Sequence, residues 1–345
     1  MSILRLFPVF ALLLCFACES DGPETGGAES FDRTALLEHW ADNVIVPAYL
    51  EYRNATDALH EAALSYTADP TDDRLAALRS EFAIAYRSWQ GVSPFVTGPG
   101  EELRLREQTN IYPTDTTRLV TEENPNLELP SNVDIQGFPA LDYLLHSSRA
   151  PAQWTTEITL RTSRLADLAE QTYTRWTDGY RDSYVTASGS SATASLDRTV
   201  NDFIFWYEKY LRAGKVGIPA GVFSNDAMPG LAEAPYHGDL SKDLFLAGLE
   251  AGEDFFTTEP GLATYLDILS VEREGQLLSE RIEANFAAAR TAAAPLSDDF
   301  ATQVATDNTA MLQLYDVLQR NVILLKVDML QALNINVDYV DADGD

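Results

Sequence analysis

The chain has 345 residues and a formal net charge of −29 at pH 7, from 53 acidic and 24 basic residues. This charge excludes electrostatic binding of nucleic acid, because phosphate backbones are bound through clustered basic side chains. It also argues against docking on anionic lipid headgroups. Most of the carboxylates are expected to be solvated on helix faces, and the alternative is that some of them attract cations.

The N-terminal segment is typical of a secretory signal peptide. Arg5 precedes an apolar run over 6–17, which is shorter than the roughly 20 residues that span a bilayer. Cys18 follows directly, as in a lipoprotein signal, where the Cys is lipidated and becomes the new N-terminus. Cys15 stands where such signals usually carry Leu, and an ordinary signal peptide with an incidental Cys is the alternative. We therefore predict a signal peptide over 1–17 and lipidation of Cys18.

The rest of the chain is expected to fold around its own apolar core. Cys15 and Cys18 are the only cysteines, so neither an internal disulfide nor a thiolate metal site is expected in the fold. Residues 18–30 are rich in Gly, Glu and Ser and predict a flexible tether. Residues 31–345 are long enough for a large core, and their length suggests two domains or one duplicated domain.

Helical periodicity dominates after residue 31 and predicts an all-α protein. Predicted helices cover 31–66 with a kink at Pro47, start near Asp72, Trp154 and Leu196, and cover 241–256, 261–292 and 296–333. A break over 91–153 holds seven of the 16 prolines, but it also holds large apolar residues and is therefore expected to be packed. A second Gly- and Pro-rich break covers 214–238, and only 335–340 resembles a strand.

A short sequence pattern occurs once in each break. Gly137-Phe-Pro139-Ala and Gly217-Ile-Pro219-Ala are both Gly, apolar, Pro, Ala. The repeat suggests a duplicated helical bundle, with an N-terminal half over 31–153 and a C-terminal half over 154–345. A Pro in the first turn fixes where a helix begins, so both segments are expected to open helices.

Several segments, separated along the chain, together form one sequence pattern. They are Asn43–Tyr49, Trp89–Pro99 with Ile111–Asp115, Gly137–Leu145, Lys215–Gly221, and Leu325–Asp328 with Asp341–Asp345. Together they resemble the imelysin family of bacterial envelope proteins. The resemblance implies two helical-bundle halves with a cleft between them and an association with iron uptake. Some members of the family have been assigned as metallopeptidases, so the resemblance also implies metallopeptidase activity as an alternative.

The best-known motif of that family is Gly-x-His-x-x-Glu, and the aligned stretch here runs from Gly137 to Asp142. Pro139 stands in place of the His, and Asp142 in place of the Glu. Proline has no ligand atom, and one carboxylate does not define a metal site. His237 in the second break is the histidine best placed to face the cleft, and His146 is the alternative replacement for the missing His.

No other motif nominates a catalytic residue. A zinc peptidase needs about three protein ligands and a base, and the four histidines form no His-Glu-x-x-His pair. Neither a Gly-x-Ser-x-Gly elbow nor a phosphate-binding Gly-rich loop occurs. The tail Asp341–Asp345 resembles part of a calcium loop without its closing Glu, and a frayed acidic terminus is the favoured interpretation.

These observations predict an imelysin-like envelope lipoprotein that is non-catalytic and binds iron, haem or a metal chelate, or takes part in its uptake. The predicted ligand-binding residues are Gly137, Pro139, Asp142, Gly217, Pro219 and His237, with Asp142 and His237 also predicted as metal ligands. Iron or another divalent metal is the candidate cofactor. The predicted partners are the membrane, through the lipid anchor, and iron-uptake components, at the periplasmic or outer-membrane surface. A metallopeptidase with an atypical ligand set and an envelope adaptor protein are the alternatives.

Overall fold

The computed structural model describes residues 31–122 and 124–339. The predicted signal peptide, Cys18, the tether over 18–30 and the tail Asp341–Asp345 lie outside the described residues. The described part is almost entirely α-helical, as predicted, and its single sheet is a two-stranded antiparallel hairpin of Glu272–Arg273 and Gln276–Leu277. Within that part, no helix has both the length and the apolar content needed to cross a membrane.

The N-terminal part of the fold is organised around one long helix that packs against two others. Its helices are α1 Arg33–His39, α2 Val46–Ala68, α3 Asp72–Val92, α4 Pro99–Glu102, α5 Leu105–Thr109, α6 Thr116–Thr121, α7 Gly137–His146 and α8 Thr155–Arg175. Helix α2 packs along both α3 and α8. A π-helical segment, Trp40–Ile45, joins α1 to α2, and Pro47 follows it at the start of α2, where its missing N–H is tolerated.

The C-terminal part contains a second set of helices and three further π-helical segments. Its helices are α9 Arg181–Thr186, α10 Ser195–Phe205, α11 Ser241–Thr257, α12 Leu262–Ile268, α13 Leu278–Ala293, α14 Phe300–Thr306, α15 Asn308–Ile323 and α16 Leu330–Leu333. The π-helical segments are Trp176–Tyr180, Trp206–Gly217 and Leu324–Met329. Helix α15 packs against α13 and the longest π-helical segment, and α11 packs against α3, which ties the two parts together.

The Pro-rich break over 91–153 is packed, as predicted. Its large apolar side chains are buried in the same core as those of the long helices, and Phe95, Phe138 and Leu141 are examples. Short 3-10 helices, Pro130–Ile135 and Pro151–Gln153, connect its α-helices. The packing of α8 on α2 crosses the predicted boundary at 153, and the division into two duplicated halves with a cleft stays a prediction.

Three of the predicted strands and helices are wrong. The single helix predicted over 296–333 is divided into α14 and α15 at Asp307. The described residues 335–339 form no strand, because their backbone groups bond to a side chain: Asn201 Nδ2 donates to Asn336 O at 3.0 Å, and Asp338 N donates to Asn201 Oδ1 at 3.3 Å. The helix predicted over 261–292 is interrupted by the hairpin, whose turn contains Gly275 at a φ of +79°.

The two Gly-x-Pro segments differ in structure. Gly137 is the first residue of α7, as predicted. Gly217 instead ends the π-helical segment Trp206–Gly217, so the prediction that this segment opens a helix is wrong. Pro219 has no N–H with which to continue the helix, and Gly221 turns the chain away at a φ of +78°.

Gly137 allows a test of how strictly the start of α7 is defined. Its φ is +71°, and a Cβ at this position would lie 2.1 Å from Thr109 O. Gly137→Ala is therefore expected to lower the free energy of unfolding by at least about 2 kcal/mol, measured by urea denaturation. Gly230→Ala is the control, because a Cβ there meets open space. Equal effects of the two substitutions would contradict this account.

Candidate functional site

Asp142 lies in the interior of the protein, one turn beyond the start of α7. Its side chain is fully buried, and Oδ2 accepts the Tyr236 N–H at 3.0 Å. The backbone of His237 donates to the same carboxyl, while Oδ1 has no hydrogen-bond partner among the described residues. Burial raises the pKa of Asp142 to about 7, although the two backbone hydrogen bonds act in the opposite direction. Asp142 therefore titrates near neutrality.

Two histidine rings lie together in the same region. The ring centroids of His146 and His237 are 4.4 Å apart, and Phe82 packs at 5.5 Å from the first and 6.5 Å from the second. Burial lowers the pKa of His146 to about 3, and the neighbouring His237 and Arg79 lower it further. Burial also lowers the pKa of His237. Both imidazoles are therefore neutral at pH 7, and a neutral imidazole has one nitrogen that donates and one that carries a lone pair.

Three polar atoms of this group have no hydrogen-bond partner among the described residues. They are Asp142 Oδ1, His146 Nε2 and His237 Nδ1. We call Asp142, His146 and His237 the carboxylate–histidine cluster. The structure thus brings together Asp142 and His237, the two residues predicted as metal ligands, and it adds His146, the alternative replacement for the motif His.

The cluster is not arranged as a preformed metal centre. Over the described ranges, no group of three or more His, Cys, Asp or Glu side chains is placed to hold a metal ion. The other two histidines are engaged elsewhere, since His39 Nε2 lies 2.7 Å from Thr258 Oγ1 and His60 Nδ1 lies 3.0 Å from Thr162 Oγ1. The metal-binding role of Asp142 and His237 stays a prediction.

A buried polar network lies close to the cluster. Glu233 Oε1 accepts a hydrogen bond from Asn110 Nδ2 at 2.7 Å, and its Oε2 forms an ion pair with Lys215. Tyr86 OH donates to Asn110 Oδ1 at 2.6 Å, and Ser241 Oγ donates to Glu233 O at 2.7 Å. All five residues are less than 8% exposed. We call this set the Glu233 network.

The Glu233 network connects the two Gly-x-Pro segments. Asn110 follows Thr109, whose carbonyl lies against Gly137, and Lys215 stands two residues before Gly217. Pro139 and Pro219 are both buried, and Pro219 O accepts the Met228 N–H at 2.8 Å. The ligand-binding role predicted for these Gly and Pro residues is not tested by this arrangement.

The sequence analysis missed Tyr86, Asn110 and Glu233. Asn110 directly precedes the Ile111–Asp115 segment of the family pattern, and this position was a signal that could have identified it. Glu233 had none, because a single carboxylate in the loop over 214–238 cannot be told from a solvated one. Its importance follows only from its 2% exposure.

The comparisons with known proteins agree with this architecture. The family model described as Imelysin matches residues 45–322. The chain belongs to the imelysin family. Among relatives of this imelysin-family chain, the "Iron-regulated protein A" of Synechococcus elongatus is 21% identical over 320 residues, covering 87% of this chain and 88% of the relative.

Two solved structures share the fold of this imelysin-family protein. An imelysin-like protein from Psychrobacter arcticus superposes with a TM-score of 0.73 at 19% identity, covering 89% of this chain and 97% of that one. A protein assigned as an iron-regulated protein A precursor, from Parabacteroides distasonis, superposes with a TM-score of 0.72 at 12% identity, covering 90% and 97%. At these identities the likeness establishes the all-helical fold.

The raised pKa of Asp142 predicts a pH dependence of stability. The folded protein holds this proton up to about pH 7, whereas the unfolded chain releases it near 3.8. Asp142 therefore contributes stability below about pH 4 that is lost as pH rises to about 7. Asp142→Asn keeps an acceptor for the Tyr236 N–H and removes the titration. Over this window, wild type should lose roughly 1.4 kcal/mol per pH unit relative to the variant, by urea denaturation.

Glu51→Gln, a substitution of an exposed carboxylate on α2 far from the cluster in sequence, is the control for this measurement. Its stability difference from wild type is expected to change little over the same pH range. A difference between wild type and Asp142→Asn that stays constant from pH 4 to pH 7.5 would show that Asp142 does not hold its proton in the fold.

The Lys215–Glu233 ion pair predicts a non-additive effect on stability. Lys215→Met leaves the Glu233 carboxylate buried beside one amide donor, which should lower the free energy of unfolding by about 3–5 kcal/mol. The double variant Lys215→Met with Glu233→Gln removes the buried charge and should recover much of that loss. The pairing would be contradicted if the double variant lost more free energy of unfolding than the two single variants lose together.

Proposed function

We propose that this imelysin-family protein is a non-catalytic binding protein of the bacterial cell envelope that takes up iron as an ion, a chelate or haem. The relatives named iron-regulated protein A support a role in iron metabolism. The single observation that carries the proposal is the carboxylate–histidine cluster. It holds one carboxylate oxygen and two imidazole nitrogens, none of which has a hydrogen-bond partner in the described part of the chain.

The chemistry of the cluster suits iron as cargo. Two histidines and one carboxylate are a donor set that binds ferrous iron and leaves other coordination positions open. Histidine binds a metal only as neutral imidazole, and the lowered pKa of His146 and of His237 keeps both rings neutral. Asp142 releases its proton near pH 7, so that the carboxylate becomes available as the metal binds. The remaining positions would be filled by water or by the chelator.

The same donor set gives weaker support to a metallopeptidase. Hydrolysis requires a preformed site with about three ligands, a metal-bound water and a base. The described residues contain no such preformed group of three. Binding of iron as cargo needs neither the metal-bound water nor the base that hydrolysis requires.

The proposal places the protein at the envelope through the N-terminus. The sequence over 1–17 followed by Cys18 supports export and a lipid anchor, and the membrane would then be the first partner. Iron-uptake components are the proposed protein partners. The lipid anchor and the iron-uptake partners are both proposed from the sequence. Labelling of whole cells with a radioactive fatty acid would test the anchor directly.

Binding of iron is tested by equilibrium dialysis of the purified protein against ferrous sulfate, ferric citrate and haemin. We expect at least one of them to bind stoichiometrically. Asp142→Asn, His146→Gln and His237→Gln should each weaken that binding at least about tenfold, because each removes one donor. His39→Gln, a histidine outside the cluster, is the matched control and should bind as wild type does. Circular dichroism of each variant checks that it is folded.

The outcomes of this test separate the iron function from the site. Binding of none of the three forms above background would overturn the proposed function. Binding that persists unchanged in all three cluster variants would keep an iron function and remove the cluster from it. Cleavage of a peptide library that a chelator abolishes, and that His237→Gln abolishes too, would favour the metallopeptidase.

A further inference from the structure

One loop lies against the carboxylate–histidine cluster and carries one of its members. It covers residues 234–240, between the buried Glu233 and the first residue of α11. Its two ends, Ala234 and Leu240, are buried, whereas Tyr236 in its middle is 39% exposed. His237, which follows Tyr236, belongs to the cluster. We call residues 234–240 the His237 loop.

The unpartnered atoms of the cluster are closed off from solvent. Asp142 Oδ1, His146 Nε2 and His237 Nδ1 are all buried. The two histidine rings lie 4.4 Å apart, centroid to centroid, and Phe82 contacts both of them. A ligand therefore reaches these atoms only if part of the surrounding structure moves. The space between rings this close suits a single ion, and a planar macrocycle would have to separate them.

Helix α7, which carries the other two members of the cluster, is held at both ends. At its start, Gly137 packs so closely on the backbone of α5 that a Cβ there would lie 2.1 Å from a carbonyl oxygen. At its C-terminal end, Arg79 Nε donates to Leu145 O at 2.9 Å, which ties α7 to α3. Most residues of α7 are also buried in the core. The element that is able to move is therefore the His237 loop.

The contacts that hold the His237 loop to α7 would break together when the loop moves outward. The backbone N–H groups of Tyr236 and His237 both donate to the Asp142 carboxyl, the first at 3.0 Å. The Tyr236 ring meets the Tyr143 ring edge-on, at a centroid distance of 5.0 Å. Outward movement would lose these contacts and uncover Asp142 Oδ1.

The base of the loop is fixed, and a residue near each end of the loop has the conformation expected of a hinge. Ser241 Oγ donates to Glu233 O at 2.7 Å, which closes the base. Ala234 has a φ of +52° and Gly238 a φ of +81°. Hinges are a few loop residues that absorb large changes in φ and ψ. The strain of a left-handed alanine is released once the loop leaves this conformation.

We propose that the His237 loop is a lid, which opens about Ala234 and Gly238 to admit a bare divalent cation and then closes over it. With the lid open, Asp142 and His146 receive the cation, and closure adds His237 as the third donor. The lid serves the cluster of the proposed function, on which this inference rests, and it narrows the cargo to the ion. Haem or a bulky chelate would require α7 and α3 to separate as well.

Amide hydrogen exchange of the metal-free protein, followed residue by residue by NMR, tests the lid. Gly238→Ala strains the closed conformation without a steric clash, because a Cβ there meets open space, so the lid should open more often. We expect the N–H groups of Tyr236 and His237 to exchange at least about tenfold faster in this variant, and those of α7 to exchange as in wild type.

Gly275→Ala is the matched control for this variant. Gly275 has a φ of +79°, and a Cβ there also meets open space, so the substitution introduces the same backbone strain in the β-hairpin. It should leave amide exchange in the lid unchanged. Circular dichroism of both variants checks that they are folded.

Binding of cobalt(II) chloride, followed by stopped-flow visible absorption, tests admission of the cation. Cobalt(II) binds imidazole and carboxylate donors and serves as the spectroscopic probe. Association and dissociation should both be at least about threefold faster in Gly238→Ala than in wild type or Gly275→Ala, because both steps pass through the open lid. Tyr236→Ala, which removes the ring contact with Tyr143 and keeps the N–H, should act in the same direction.

Three results would overturn the proposal. The lid is excluded if folded Gly238→Ala exchanges the Tyr236 and His237 amides as wild type does. It is also excluded if the amides of α7 exchange together with those of the loop, since the movement would then not be confined to the loop. Haemin that displaces cobalt from the wild-type protein would exclude the bare ion as the cargo. The exchange measurement needs no bound metal, so a failure of the lid is distinguishable from a failure of the proposed function.

Discussion

The buried carboxylate of Glu233 is the group around which the arrangement of the site is organised. At 2% exposure it cannot be solvated, so its charge must be met by protein donors, which Asn110 and Lys215 supply. An unpaired charge in this position would cost several kcal/mol. The end of α5 and the π-helical segment Trp206–Gly217 are therefore held at fixed positions on either side of Glu233.

The position of Glu233 then determines the position of the carboxylate–histidine cluster. Tyr236 and His237 follow it by three and four residues, and their backbone N–H groups bind Asp142. From the other side, Thr109 packs against Gly137, which defines the first residue of α7 and thereby the depth at which Asp142 is buried. Two segments far apart in sequence are thus brought onto one carboxyl group by backbone contacts rather than by side-chain charge.

The sequence predicted those features that depend on local patterns. The helices from Asp72, Trp154 and Leu196 were found because apolar side chains repeat every three or four residues along their buried faces. Asp142 was singled out because it stands where the family motif carries Glu, and His237 because it is the histidine of the second break. The network could not be found in this way, since Asn110 and Glu233 are 123 residues apart and neither has a local signature. The Gly217 segment was misassigned because Pro is common both just inside the start of a helix and just beyond its end.

Under the proposed function, the net charge of −29 and the buried cluster would impose different requirements on an iron cargo. The surface field raises the local concentration of cations and opposes chelates that carry carboxylates, and added salt screens both effects. Inside the cluster, neutral imidazoles and a carboxyl that titrates near pH 7 favour a species able to displace one proton. A free ferrous ion satisfies both requirements. An anionic chelate satisfies only the second and has to overcome the surface field first. If iron is the cargo, as proposed, the surface charge would discriminate among iron species before the cluster does, and most strongly at low ionic strength.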